Sequence, residues 1–142
     1  MADRTATVTW TGSLLEGEGT IESVGSGAFG PLEVTWASRT EDPAGRTSPD
    51  ELLAAAHASC FSMALSHALA QEGTPAERLE TSATVTFVPG TGITKVALRV
   101  RGSVPGMDEA TFVEKAGGAK VECPVSKALA AVPEITLDAA LL

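Results

Sequence analysis

Cys60 and Cys123 are the only cysteines in the chain, and with Arg39, Asp50 and His57 they carry most of its reactive possibilities. Cys60 lies inside LLAAAHASCFSMALSHALA, Leu52 to Ala70, the most apolar part of the sequence. A thiol there is either a buried inert group or an activated one. Apolar burial raises a thiol's pKa, so an active Cys60 needs a cation beside it. Arg39 is the local candidate, expected in a polar loop that leads from the Trp36 strand into the helix. Cys123 precedes Pro124, a residue suited to the first turn of a helix, which puts Cys123 at the N-cap. Backbone N–H groups and the helix dipole favour a thiolate at that place. Local electrostatics therefore rank Cys123 as the more acidic thiol, although a plain capping role also fits.

His57 stands three residues before Cys60 on the same helical face. It fits the base of a Cys–His pair or a satisfied core histidine. His67 reads as a polar residue near the helix end. His57, Cys60 and Cys123 lack any C-x-x-C or H-x-x-x-H spacing, which argues against zinc. Gly25-Ser26-Gly27-Ala28-Phe29-Gly30 matches G-x-G-x-x-G, but a strand-like run follows where a dinucleotide site needs a helix. Those glycines are better explained as a flexible hairpin.

The elements that must position these residues are legible in outline. Thr5–Trp10 alternates, with Ala6, Val8 and Trp10 on one side, as in a half-buried strand. Leu14–Glu22 and Leu32–Ala37 suggest two more strands. Thr81–Val88 and Ile93–Ser103 form a further pair about the turn Pro89-Gly90-Thr91-Gly92, and Ile135–Leu141 is a last strand. Ser48-Pro49-Asp50-Glu51 fits a capping box opening a helix that runs to about Glu72, before Gly73. This helix is apolar nearly all round, so a sheet and a partner subunit are expected to cover it. A second helix starts near Asp108, weakened by Gly117-Gly118, and a third covers Val125 to Ala131. The order βββ-α-ββ-αα-β with tight turns predicts an α+β fold with antiparallel sheets in a single domain, residues 1–142.

A chain of 142 residues with 44% apolar content buries roughly two-thirds of its unfolded surface. Its net charge of −8 argues against nucleic-acid and anionic-membrane partners. The N-terminus shows no signal-peptide pattern, and the longest apolar stretch, Leu52 to Ala58, contains His57 and is too short to span a bilayer. A soluble, cytoplasmic protein is expected, in which a permanent disulfide is disfavoured.

Arg39-Thr40-Glu41 and the stretch from Thr47 to Leu65 closely resemble the osmotically inducible protein C (OsmC) family. Cys123-Pro124-Val125-Ser126-Lys127-Ala128-Leu129 resembles that family's second signature. The His57-Ala58 form and the position of Arg39 look like the OsmC branch; the related organic hydroperoxide resistance branch typically carries a tyrosine in place of that histidine.

The resemblance implies an intertwined homodimer, with antiparallel sheets wrapped around long central helices and active sites at the subunit interface. It implies a thiol peroxidase that acts on organic hydroperoxides, with no metal or tightly bound organic cofactor. Cys60 would take the peroxidatic role, Cys123 the resolving role and Arg39 the activating role. The family's catalytic glutamate lies ten residues before the first cysteine, where this chain has Asp50, one methylene shorter; Glu51 is the neighbouring alternative. A Cys60–Cys123 disulfide would be reduced by an external dithiol such as dihydrolipoamide. Ten residues of helix put Asp50 and Cys60 about 15 Å apart along the axis. A shared site then requires a bent helix or a second subunit. Competing readings are a non-catalytic binder of lipophilic ligands, a thiol redox sensor and a Cys–His hydrolase.

Overall fold

The computed structural model describes residues Met1–Leu142. The chain forms two compact units, Met1–Leu52 and Leu53–Leu142. The first holds a three-stranded antiparallel sheet of β1 (Ala6–Thr11), β2 (Glu18–Val24) and β3 (Leu32–Val34), in that order. The glycine-rich segment between β2 and β3 is a hairpin connection. Gly19 sits under the Trp10 ring, and a Cβ there would come within 2.6 Å of Trp10 Cε3. β1 is exposed along its whole length, not half-buried.

A short helix, α1 (Trp36–Thr40), follows β3 where an extended strand and loop were expected. Thr35 caps it reciprocally: the Thr35 hydroxyl accepts from the Ser38 N–H at 2.9 Å, and Ser38 Oγ accepts from the Thr35 N–H at 3.0 Å. These bonds satisfy the orphan donors of a helix start and overcome the strand preference of Val34-Thr35-Trp36.

Helix α2 (Pro49–Gln71) opens in the first unit and continues into the second. Ser48 Oγ accepts from the Glu51 N–H at 3.2 Å, as the sequence pattern requires. The Glu51 carboxylate turns instead to the Thr47 hydroxyl, at 2.8 Å. Along α2, His57, Phe61, Leu65 and Leu69 are fully buried, one per turn. The opposite face is open, with Met63 71% exposed. Burial is therefore confined to one stripe rather than all round. By length and composition alone α2 is long and apolar enough to cross a bilayer, a length the Leu52–Ala58 stretch does not show. Its buried stripe is that of a helix packed in a folded core.

That core belongs to the second unit. It has β4 (Arg78–Val88), β5 (Gly92–Ser103) and β6 (Glu134–Leu141), with β5 central. β4 and β5 pair antiparallel, but β6 runs parallel to β5. Tight turns govern only the first pair; α3 (Glu109–Glu122) and α4 (Pro124–Ala128) form a crossover that returns the chain in the parallel sense. α3 passes through Gly117-Gly118 unbroken, because Phe112, Ala116 and Ala119 are buried in the core and outweigh the glycine cost. Val96, Leu98 and Val100 of β5 meet Phe61, Leu65 and Leu69 of α2 in one cluster, which also includes Cys123.

Candidate functional site

The first unit holds an ion pair. Arg39, on α1, meets Asp50, in the first turn of α2, through two parallel contacts: Nε to Oδ2 at 2.9 Å and Nη2 to Oδ1 at 3.3 Å. This fork geometry suits guanidinium and carboxylate and fixes direction as well as distance. Asp50 is 7% exposed, and Arg39 keeps part of its side chain in solvent. The shorter aspartate reaches Arg39, which α1 carries in place of the expected loop. Glu51 is engaged by the Thr47 hydroxyl.

The second unit holds the sulfurs. Cys60 is half-buried on α2, and Cys123 is fully buried at the junction of α3 and α4. Both are free thiols, close enough to exchange a hydrogen bond. Cys123 takes its place because it ends α3, its N–H donating to Ala119 O at 2.9 Å, and begins α4, its carbonyl accepting from the Lys127 N–H at 3.0 Å. Pro124 offers no N–H, so the first free amides of α4 are those of Val125 and Ser126. Their geometry falls short of a regular capping bond, yet both favour the Cys123 thiolate, and the Val125 amide also favours that of Cys60.

The two thiols are consequently unlike. Burial pushes Cys60 up; the Val125 amide offsets only part of this, and the nearby Cys123 sulfur adds to the rise. Burial also opposes ionisation of Cys123, but the Ser126 amide, the Cys60 thiol, the Ser126 hydroxyl and the Val125 amide together outweigh it and bring Cys123 down. The first negative charge in the pair therefore falls on Cys123, with Cys60 as the hydrogen-bond donor.

His57 is fully buried one turn before Cys60, and burial lowers its pKa, which favours the neutral ring. Its Nε2 lies 2.7 Å from Ser126 Oγ, while Nδ1 has no partner. Ser126 is the residue that sequence reasoning left without a role. Its signal was its place three residues after an N-cap cysteine, the position whose amide faces a capping group. His67 lies on the exposed face of α2, beside Gln71. No group of three or more His, Cys, Asp or Glu side chains is arranged to hold a metal ion.

Comparison with known proteins assigns this arrangement to a family. The family model described as OsmC-like protein matches residues 41–138. This chain belongs to the OsmC-like family. Over 132 residues it is 42% identical to Peroxiredoxin OsmC of Escherichia coli (strain K12), covering 91% of this chain and 90% of that protein. Its fold matches the organic hydroperoxide resistance protein OsmC of Legionella pneumophila with a TM-score of 0.70 at 21% identity, over 96% of each chain. It also matches OhrB of Bacillus subtilis with a TM-score of 0.63 at 23% identity, over 97% of this chain and 98% of that one. An OsmC-like protein of unknown function from Vibrio cholerae gives a TM-score of 0.72 at 16% identity, over 98% of this chain and 99% of that one. The α+β class, with helices and two small sheets, is the fold of this family.

Proposed function

We propose that this protein reduces organic hydroperoxides to alcohols through a Cys60 sulfenic acid and a Cys60–Cys123 disulfide. Its similarity to Peroxiredoxin OsmC makes it a peroxide-related redox protein and a peroxidase. The observation that carries the two-cysteine cycle is the contact between the Cys60 and Cys123 thiols, residues 63 positions apart in sequence. Two sulfurs in hydrogen-bonding contact need little motion to reach bonding distance.

In the cycle, the Cys60 thiolate attacks the terminal oxygen of the hydroperoxide. The O–O bond breaks, the alkoxide takes a proton to leave as alcohol, and Cys60 becomes a sulfenic acid. Cys123 then attacks the sulfenic sulfur, and the hydroxyl leaves with a proton as water. An external dithiol of the lipoyl type reduces the disulfide by exchange. A bulky apolar peroxide suits the apolar setting of Cys60, beside Phe61 and Met63. The reaction needs no resident metal or organic cofactor, and we assign it to the reducing cytoplasm, where the dithiol is supplied.

Arg39, oriented by Asp50, is the cation assigned to Cys60. Ten residues of helix between Asp50 and Cys60 favour an arginine from a second copy of the chain. The exposed apolar face of α2 around Met63 supports a second copy as its cover. The decisive experiment is mass spectrometry of the reduced protein after one equivalent of cumene hydroperoxide. A Cys60–Cys123 bridge with one equivalent of alcohol is expected. Two free thiols with the peroxide unconsumed would end this reading in favour of a ligand-binding protein.

A further inference from the structure

We propose that His57 and Ser126 form a buried hydrogen-bond relay that holds the Cys123 sulfur ready as the resolving nucleophile, with His57 as a positioning residue. This rests on the reading of Cys123 as the resolving sulfur. The relay links two elements: His57 lies on α2 and Ser126 on α4, with Nε2 and Oγ 2.7 Å apart. Both residues are buried, at 0% and 8% exposure. The Ser126 hydroxyl is in turn within hydrogen-bonding reach of the Cys123 sulfur. The line runs from His57 through Ser126 to Cys123 and ends against Cys60, one turn beyond His57 on the same helix.

The direction of the relay follows from counting protons. A serine hydroxyl has one hydrogen. If it donates to the Cys123 sulfur, its oxygen must accept from His57, so the imidazole proton sits on Nε2. Nδ1 is then a bare lone pair. Nδ1 is buried and has no partner. An unpaired buried acceptor is better tolerated than an unpaired buried N–H, so the orphaned atom is the one expected to lack a proton. A charged imidazolium would bury a second N–H with no acceptor; the ring stays neutral, in keeping with its burial.

The chemical task is one step. The Cys123 thiolate attacks the sulfur of Cys60–SOH, the S–S bond forms and the S–O bond breaks. The hydroxide leaves as water, and the proton it takes up balances the one Cys123 released on ionising. The oxidising equivalents come from the hydroperoxide already consumed. The titratable groups of α2 at this place are Cys60 and His57. Glu122 and Lys127, which flank Cys123, pair with each other at 3.1 Å and are largely exposed. The core residues clustered with Cys123 from β5 and α3 are apolar.

The test titrates the ultraviolet thiolate absorbance of Cys123 in a Cys60→Ser chain, which removes the other sulfur and needs no peroxide. Adding Ser126→Ala or His57→Leu is expected to raise the midpoint by about one pH unit, leaving roughly tenfold less thiolate at a given pH below it. Ser126→Thr keeps a hydroxyl and His57→Gln keeps an N–H near the Nε2 position, so both are expected to titrate like the parent. Ser126→Ala removes a single atom and carries the test should His57→Leu fail to fold. Superimposable titrations of the parent, Ser126→Ala and His57→Leu would overturn the relay. A parallel measurement of peroxide consumption by the unmodified protein separates the two ideas. Normal turnover with unmoved titrations removes the relay alone. Shifted titrations without turnover keep the relay and remove the peroxidase cycle.

Discussion

Asp50→Asn separates the structural task of the Arg39–Asp50 pair from its proposed chemical one. The substitution keeps shape and volume but replaces one acceptor oxygen with an NH₂ group. Asp50 accepts two contacts from Arg39, at 2.9 and 3.3 Å. The amide accepts only one and sets its own N–H groups against a guanidinium that has no acceptor. A hydrogen bond to a charged group contributes about 1.5–3 kcal/mol. The Asp50 side chain is 9% exposed and that of Arg39 24%, so water restores part of the loss on the arginine side. The expected cost is about 2 kcal/mol. In a chain of this size that lowers the midpoint of thermal unfolding by about 8 °C, at about 4 °C per kcal/mol. The catalytic consequence should be larger than the stability loss suggests. A guanidinium displaced by about 1 Å from a reacting sulfur costs on the order of a hundredfold in rate. The assay is steady-state reduction of cumene hydroperoxide with a dithiol, measured well below the unfolding temperature. Asp50→Glu, which keeps the charge, should recover most of the activity. If Asp50→Asn unfolds earlier yet turns over within about twofold of the parent, the pair merely staples α1 to α2 and Arg39 loses its proposed role.

Three further outcomes test the structure elsewhere. His57 has a lowered folded pKa, so between that value and the ordinary value near 6.5 the unfolded chain binds more protons than the folded one. Stability from this residue is present above about pH 6.5 and is lost as pH falls through the folded pKa; urea midpoints between pH 7.5 and pH 5 should fall less steeply for His57→Gln, and parallel curves would count against a buried neutral ring. Gly102→Ala would place a Cβ 2.6 Å from Phe112 Cζ and 3.2 Å from Leu79 Cδ2; overpacking there should cost about 1–3 kcal/mol in urea unfolding, and an unchanged midpoint would refute the tight approach. Met63→Glu puts a charge on an exposed face and should leave monomer stability within about 0.5 kcal/mol while driving the proposed second copy away; sedimentation of the variant as the same dimer as the parent would show that this face is not the contact.

The residues that bound the long helix were legible because their signals are local. Ser48, Pro49 and Glu51 sit at fixed offsets, and the Ser48 cap bonds the Glu51 amide in the expected way. Strands β4 and β5 followed from strict alternation across a short turn. What escaped depends on contacts distant in sequence. α1 was hidden because Val34, Thr35 and Trp36 favour strands, and only the reciprocal Thr35–Ser38 bonds reverse that preference. The helix through Gly117-Gly118 is held by the burial of Phe112, Ala116 and Ala119, which local propensity does not report. The parallel pairing of β6 was within reach, since two helices between β5 and β6 form a crossover long enough to require it. At the site, the cap position of Cys123 could be read from Pro124. The His57–Ser126 contact could not, because nothing in a sequence aligns residues 69 positions apart.

The two sulfurs also show why position in a family motif and acidity are separate properties. Cys60 is the proposed peroxidatic cysteine, yet burial raises its pKa, and its neighbour takes the first charge. A sulfur that starts protonated is not unsuited to attack; it is a thiol that needs a cation to favour its thiolate. α4 supplies amides mainly to Cys123, and its contribution to Cys60 is outweighed by burial. A guanidinium brought to Cys60 reverses that order by favouring its thiolate, moving the proton of the pair onto Cys123. After oxidation the demand reverses again. The sulfenic sulfur is then the electrophile, and the Val125 and Ser126 amides with the Ser126 hydroxyl already favour negative charge on Cys123. The same short helix that favours charge on Cys123 is therefore suited to the second half of the proposed cycle. The first half, in the proposed cycle, depends on a cation reaching Cys60.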